Sequence, residues 1–482
     1  MTLGLCAALP FFGMLLTFGR KSVRRSLNVF VGVAISSFVC SAIVLAFSPV
    51  DEISRFADSL FVSDASSRLF LSLISAVFTG VALYVYNRAQ TNPFAARKIQ
   101  GFVRRALLFF TISVAAVLSN HFVLMWLLLE ATTLAAAPLI YHQKGAASVR
   151  AAWKYFIFSG VGLGIAFVGF IFLGLGTHGQ SGGELSFYFH ELVGRQWGLE
   201  VAPWRELGLA LIVFGFGTKL GLAPMYAWLP ETYDLAPPSV TVLLAAVQFN
   251  AVILALFRVF QYFQPQEVRL IRYELIVIGL ASILVSAFHI VVAKNYKRLI
   301  AYASINHAGV IAVGLGIGKS AAYGVVLYAI SNALVKAVLF LTCGNIKARY
   351  HTKYIAELQG LIKTMPFSGV FFMTGIFALL GFAPFGSFFG EVMVMKSMID
   401  GQHFAVFTLF CLLTTVVFVA MGRATFPMIW GEPNHEISLH GESIYTLLPN
   451  LFFVGLLLSL GVYLPVAANN LLQSIANGIG GR

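Results

Sequence analysis

Apolar residues fill this chain in long runs, each near the ~20 residues a helix needs to cross a ~30 Å hydrocarbon core. About fourteen runs follow one another, near residues 1–18, 28–48, 66–87, 105–119, 121–141, 152–175, 206–230, 237–260, 271–293, 299–317, 321–344, 365–400, 403–424 and 443–467. The pattern predicts an all-α polytopic membrane protein. No cleavage-site pattern follows the first run, so it reads as a span rather than a removable signal. The longest polar connection, about 176–205, is a loop and not a domain.

Two runs are interrupted. The seventh contains Gly221, Pro224 and Pro230, and the twelfth contains Gly381, Pro384 and Gly386. Proline and glycine inside a span free backbone groups that only protein or trapped water can satisfy. Broken helices five spans apart predict two inverted five-helix repeats, residues 105–260 and 271–424. Residues 1–104 then form N-terminal transmembrane helices, and 425–482 hold one C-terminal transmembrane helix.

Charge fixes the expected orientation. Odd-numbered connections carry Arg20, Lys21, Arg24 and Arg25, then Arg88, Arg97, Lys98, Arg104 and Arg105. Lys144, Arg150, Lys294, Lys297, Arg298, Lys347, Arg349, Lys353 and Lys363 continue that side. Even-numbered connections hold acids such as Asp51, Glu52, Asp58, Asp64, Glu184 and Glu191. Cytoplasmic loops are the basic ones, which places both termini outside, in a bacterial inner membrane. Lys297 and Arg298 read as topology anchors.

Composition agrees: 59% of residues are hydrophobic and only 11% charged, more apolar surface than a soluble fold can hide. The net charge of +13 sits in short connections, so it argues for topology and against nucleic acid. Cys6, Cys40, Cys343 and Cys411 lie singly in apolar segments, which predicts neither an iron–sulfur centre nor a zinc site. The 45 phenylalanines read as lipid-facing packing, and His121, His142, His178 and His190 as surface histidines.

A charge at the bilayer centre costs at least ~2.5–3.5 kcal/mol, so each needs a reason. Glu130, Lys219, Lys336 and Glu391 stand within or beside apolar runs and are the proton-transfer candidates. Lys154, Glu231, His307, Asn332 and Lys396 are possible relays, with Ser304, Ser331, Thr218 and Tyr226 placed to orient water. Burial and a nearby carboxylate act on a lysine in opposite senses, which suits it to load and release a proton. Against this stand structural readings: Lys154 and Lys396 snorkelling to an interface, and Glu130 as one half of a static ion pair.

These residues sit in recognisable stretches. Gly217–Glu231 (GTKLGLAPMYAWLPE) with the following APPSV, and Lys297–Gly309 (KRLIAYASINHAG), resemble the seventh- and tenth-span signatures of one family. It comprises the antiporter-like subunits of complex I, multisubunit cation/proton antiporters and membrane-bound hydrogenases. The resemblance covers about 100–425 and is nearest the hydrogenase-4 branch, through Leu129–Thr133 and Ala151–Tyr155. It implies that Glu130, Lys219 and Glu391 are the fifth-span glutamate, broken-helix lysine and terminal relay.

Departures are specific. Tyr226 and Tyr233 replace usual histidines, Asn332 replaces the histidine four residues before Lys336, and Gln248 or Asn250 stands where a central lysine or histidine is common. The lateral helix of the longest complex I relative is not seen, which implies a different place in an assembly.

The resemblance implies a proton-translocating subunit, with no redox, hydrolytic or cofactor site of its own, inside a hydrogenase- or dehydrogenase-type complex. Two alternatives remain. One is the proton-conducting subunit of an inorganic-carbon accumulation complex, with a soluble, zinc-containing, carbonic-anhydrase-like partner. The other is a cation/proton antiporter subunit that also handles sodium.

Overall fold

The computed structural model describes residues 2–18, 22–91, 96–142, 145–175, 187–192, 202–433, 442 and 444–480. Arg20, Lys21, Lys144, His178, Glu184 and most of the 176–205 connection lie outside the described residues, as do the side chains of Cys6, Arg97, Lys98 and His190. The first helices are α1 (Thr2–Thr17), α2 (Val23–Phe47), α3 (Ala65–Thr91), α4 (Ala96–Leu118), α5 (Phe122–Ile140), α6 (Ala146–Leu175) and the single turn α7 (Phe189–Leu192). There follow α8 (Ala202–Leu220), α9 (Trp228–Leu235), α10 (Pro238–Val242), α11 (Phe249–Tyr262), α12 (Arg269–Val291), α13 (Tyr296–Ile317) and α14 (Ala322–Tyr350). The chain ends with the turn α15 (Leu361–Thr364), α16 (Pro366–Leu379), α17 (Gly386–Asp400), α18 (Phe404–Trp430), α19 (Ile444–Val462) and α20 (Val466–Ile479).

Among the described residues, ten helices are long and apolar enough to cross a membrane, or eleven if the bent pair of α19 and α20 is one span. The remaining apolar runs fall on α1, on α8 with its Arg205, Glu206 and Lys219, and on the interrupted α16 and α17. Run length alone admits such short or charged helices. Two features are invisible to it. The chain turns by 79° near Leu464, giving α20 where the run lengths predict a single last span. An antiparallel hairpin, β1 (Ser54–Phe56) with β2 (Phe61–Ser63), also interrupts the all-α pattern in strands too short to show periodicity.

The centre of the molecule is the continuous span Pro238–Tyr262 together with α14, each with an apolar 18-residue stretch wholly buried in protein. By contrast, only 22% of the corresponding stretch of α18 and 28% of that of α2 are covered. The phenylalanine reading needs correction here. Phe78 stacks on Phe110 at 3.9 Å and takes the edge of Phe30 at 5.3 Å, all fully buried. Aromatic rings fill the interior between helices as well as facing lipid.

Small residues let helices touch through their backbones. A Cβ on Gly169 of α6 would lie 2.5 Å from the Gly208 carbonyl oxygen of α8, and one on Gly279 of α12 would lie 2.9 Å from that of Gly309 in α13. Gly169→Leu is therefore expected to push α8, with Lys219 at its end, off α6. Overpacking of this kind costs about 1–3 kcal/mol, read as a lower melting temperature of the detergent-solubilised protein.

One ion pair ties the N-terminal helices to the centre. Asp64 caps α3, its Oδ1 accepting the Ser67 backbone N–H at 2.9 Å. It also accepts both terminal nitrogens of the fully buried Arg258 of α11, at 2.5 and 2.9 Å. Phe189 and Tyr262 lie under the guanidinium at 5.4 and 5.8 Å.

Candidate functional site

The first break follows from its sequence. α8 stops at Leu220 because Gly221 takes φ +78°, and a Cβ there would lie 2.4 Å from Leu229 Cδ1. Pro224 offers no N–H, and α9 resumes at Trp228. The freed groups find partners: the Ala223 N–H donates to Ser282 Oγ at 2.8 Å, and the Trp228 indole donates to the Thr218 carbonyl at 3.0 Å. The second break repeats the device. α16 stops at Leu379, Gly381 takes φ +70°, Pro384 follows, and α17 begins at Gly386. Ser387 Oγ donates back to the Ala378 carbonyl at 2.6 Å.

An ionisable residue adjoins each break. Lys219 is 2% exposed, and its Nζ donates to the Leu129 carbonyl and to Thr133 Oγ1, both at 2.5 Å. Glu130, one residue from that carbonyl in α5, is the carboxylate acting electrostatically on Lys219, and its Oε2 is buried without a hydrogen-bond partner among the described residues. At the second break, Glu391 folds back over the glycine: a Cβ on Gly381 would lie 3.0 Å from Glu391 Oε2.

Polar side chains extend inward from Lys219. Thr133 faces Ser159 Oγ at 3.4 Å. Thr132, whose hydroxyl donates to the same Leu129 carbonyl, accepts from Gln248 Nε2 at 2.8 Å. Gln248 and the Tyr155 hydroxyl exchange hydrogen bonds at 2.7 and 3.0 Å. Thus Gln248 joins the Lys219 network although it carries no titratable group. It sits at the end of a π-helical turn, Leu243–Gln248, between α10 and α11, a widening often found at functional sites.

The middle of the molecule holds polar atoms without partners among the described residues. Lys336 is fully buried; its Nζ makes no hydrogen bond and lies 3.7 Å from the centre of the Phe249 ring. Both amide atoms of Asn332, His307 Nε2, Asn306 Oδ1 and Asn250 Oδ1 are likewise buried and unmatched. His307 Nδ1 hydrogen-bonds the Tyr328 hydroxyl. His307 lies within electrostatic range of Lys336, and Tyr328 within that of Glu391. Tyr328 therefore stands between the two, a role that nothing in its apolar sequence context announces.

Other candidates fall elsewhere. Lys154 is exposed and paired with Glu231 of α9, so these two form an ion pair outside the Lys219 network. Lys396 is exposed on α17. Lys297, expected as a surface anchor, is fully buried, its Nζ donating to the carbonyls of Asp234 and Ala236 at 2.9 and 3.1 Å. Those carbonyls end α9 and need a donor. The Asp234 carboxylate in turn binds Lys353 at 2.8 Å and Arg298 at 3.1 Å. His121 caps α5 by accepting the Leu124 N–H at 3.2 Å, rather than standing free on the surface. A further histidine carries no signal in the sequence: His289 of α12 stacks on Tyr302 at 4.6 Å and meets Tyr226 edge-on at 5.8 Å.

Residues 119–418 match the family model described as NADH:quinone oxidoreductase/Mrp antiporter, TM. The chain belongs to this family. A relative described as hydrogenase-4 component F homolog, from Methylacidiphilum infernorum, is 27% identical over 95% of both chains. The fold is shared with a chain of the membrane-bound sulfane sulfur reductase, an archaeal respiratory membrane complex (TM-score 0.87, 22% identity, 99% of this family member and 98% of that chain). It is shared too with a chain of the Mrp complex from Dietzia sp. DQ12-45-1b (TM-score 0.82, 18% identity, 99% and 97%). This family member is an antiporter-like membrane subunit, and its relatives are subunits of multisubunit membrane complexes.

Proposed function

We propose that the protein translocates protons for a larger energy-converting complex of the hydrogenase or complex I type, without redox chemistry on this chain. The observation that carries the reading is Lys219 at a helix break, held by Leu129 and Thr133 beside Glu130. Glu130 receives the electrostatic signal of a neighbouring subunit and alters proton affinity at Lys219. Protons pass by Thr132, Gln248 and Tyr155 into the centre, then by Lys336, His307 and Tyr328 to Glu391. Water satisfies the unmatched amides of Asn332 and Asn250 and completes the line where side chains do not meet.

We take the architecture as fourteen spans, counting α1, the broken α8–α9 and α16–α17 units, and α19 with α20. Residues 105–260 and 271–424 are then inverted repeats, each with one break. The matching glycine–proline breaks, each with an ionisable residue beside it, support this. The carbon-uptake and sodium-exchange readings share this conducting chain and differ in what drives it.

The test is proton movement in liposomes holding the purified complex, driven by an imposed pH difference. Lys219→Ala is expected to lower the initial rate at least about a hundredfold, the scale of losing a positioned acid–base group. Unchanged flux in a folded Lys219→Ala complex rules the mechanism out.

A further inference from the structure

The path above leaves Glu274, an intramembrane acid, unused. Glu274 stands in the second turn of α12, and its Oε2 is buried with no hydrogen-bond partner among the described residues. An ionisable side chain within a span needs a partner or a task.

Its place in the fold suggests the task. One turn further along α12, Ile278 packs against α8, its Cδ1 3.9 Å from where a Cβ on Gly217 would lie, and one turn beyond that Ser282 holds the Ala223 N–H of the break. At 100° per residue, Glu274, Ile278 and Ser282 fall within about 80° of one another, on the face toward α8. His289 joins the same arc, beside Tyr226. Axial rise puts Glu274 roughly 6 Å from Ile278 and about 12 Å from Ser282. Glu274 thus lies toward the α11–α12 connection, on the opposite side of the break from His289. Outward of it, that end of the α8–α12 groove holds the buried Arg205–Glu267 pair, 3.6 Å apart.

We propose that Glu274 is a proton-relay residue of a conducting branch, linking the α8–α9 break to the surface at the α11–α12 connection. Protons reach Lys219 by this transverse route along the α8–α12 groove and leave it laterally, toward Lys336, so that the two lie in series. The branch rests on the proton-conducting reading of Lys219, and its test separates the two.

The same liposomes serve, with Lys219→Ala as reference. Glu274→Gln is expected to lower the initial proton rate at least about tenfold, whereas Glu274→Asp, which keeps a titratable group, retains most of it. On the wild-type complex, a hydrophobic carbodiimide, which attaches to protonated carboxyls in apolar surroundings, is expected to modify Glu274. The modified fraction, measured by mass spectrometry, should rise with the loss of flux. Wild-type flux in Glu274→Gln, equal loss in the Asp and Gln variants, or carbodiimide modification of Glu274 without loss each overturns the branch. If Lys219→Ala itself conducts normally, the parent reading fails instead. Should the Gln variant not assemble, the carbodiimide measurement decides, loss of flux having to track modification of Glu274 rather than of Glu130 or Glu391, which the same reagent reaches.

Discussion

Asp64→Ala is expected to destabilise the detergent-solubilised protein by about 3–5 kcal/mol, the usual cost of removing one partner from a buried ion pair. Arg258 is fully enclosed, and its guanidinium would lose two short hydrogen bonds while keeping the one that it donates to Gln261 Oε1 at 3.0 Å. The cap on α3 would go as well. Asp64→Asn keeps a capping oxygen and should fall between wild type and alanine. The pH dependence follows from the same contacts. Burial alone pushes the Asp64 carboxyl up, but Arg258 and Ser67 together outweigh it and hold it at about 2, below the ordinary 3.8. A depressed carboxylate contributes stability above its unfolded value, and that contribution is lost as pH falls from about 4 toward 2. Thermal melts of wild type should weaken across that window more steeply than those of Asp64→Asn. Equal slopes would mean that the charge on Asp64 does not hold the pair.

Much of the fold is legible in the chain because lipid makes strict demands. Run length yields the helical membrane class, and the glycine–proline pairs mark both breaks. Lys219, Lys336 and Glu391 are visible because a charge in an apolar run has few innocent explanations. Legibility fails where the signal is not charge. Tyr155, Tyr328, Thr132 and Thr133 are polar residues on apolar-looking helices, and only packing shows that Tyr155, Thr132 and Thr133 join the hydrogen bonds around Gln248 and Lys219 and that Tyr328 meets His307. The π-turn before Gln248 has no sequence mark at all. Lys297 misleads in the opposite sense, since a lysine at a helix start beside basic loops looks like an anchor until its buried carbonyl partners are seen. Glu274 is inconspicuous because it lies near a span end among Arg269 and Arg272, where a carboxylate looks like loop chemistry.

Lys336→Met should separate function from fold. Methionine nearly matches the lysine stem in length and removes only the amine. That amine has no hydrogen-bond partner among the described residues, and leaving such a group buried costs about 1–3 kcal/mol. The Phe249 face at 3.7 Å returns part of this, about 0.5–2 kcal/mol for a cation over a ring. With the water that completes the line at this amine the two nearly cancel, so the variant is expected to melt within about 1 kcal/mol of wild type. Proton flux in liposomes should fall at least about a hundredfold, because the centre then holds amides, Tyr328 and His307 but no amine to pass a proton between Gln248 and Glu391. A variant of wild-type stability that does not conduct is the signature of a residue kept for transport rather than for packing. Loss of several kcal/mol would instead show that Lys336 binds a partner that holds the bundle together. Flux at the wild-type rate would remove Lys336 from the path and leave Asn332, His307 and intervening water to carry it.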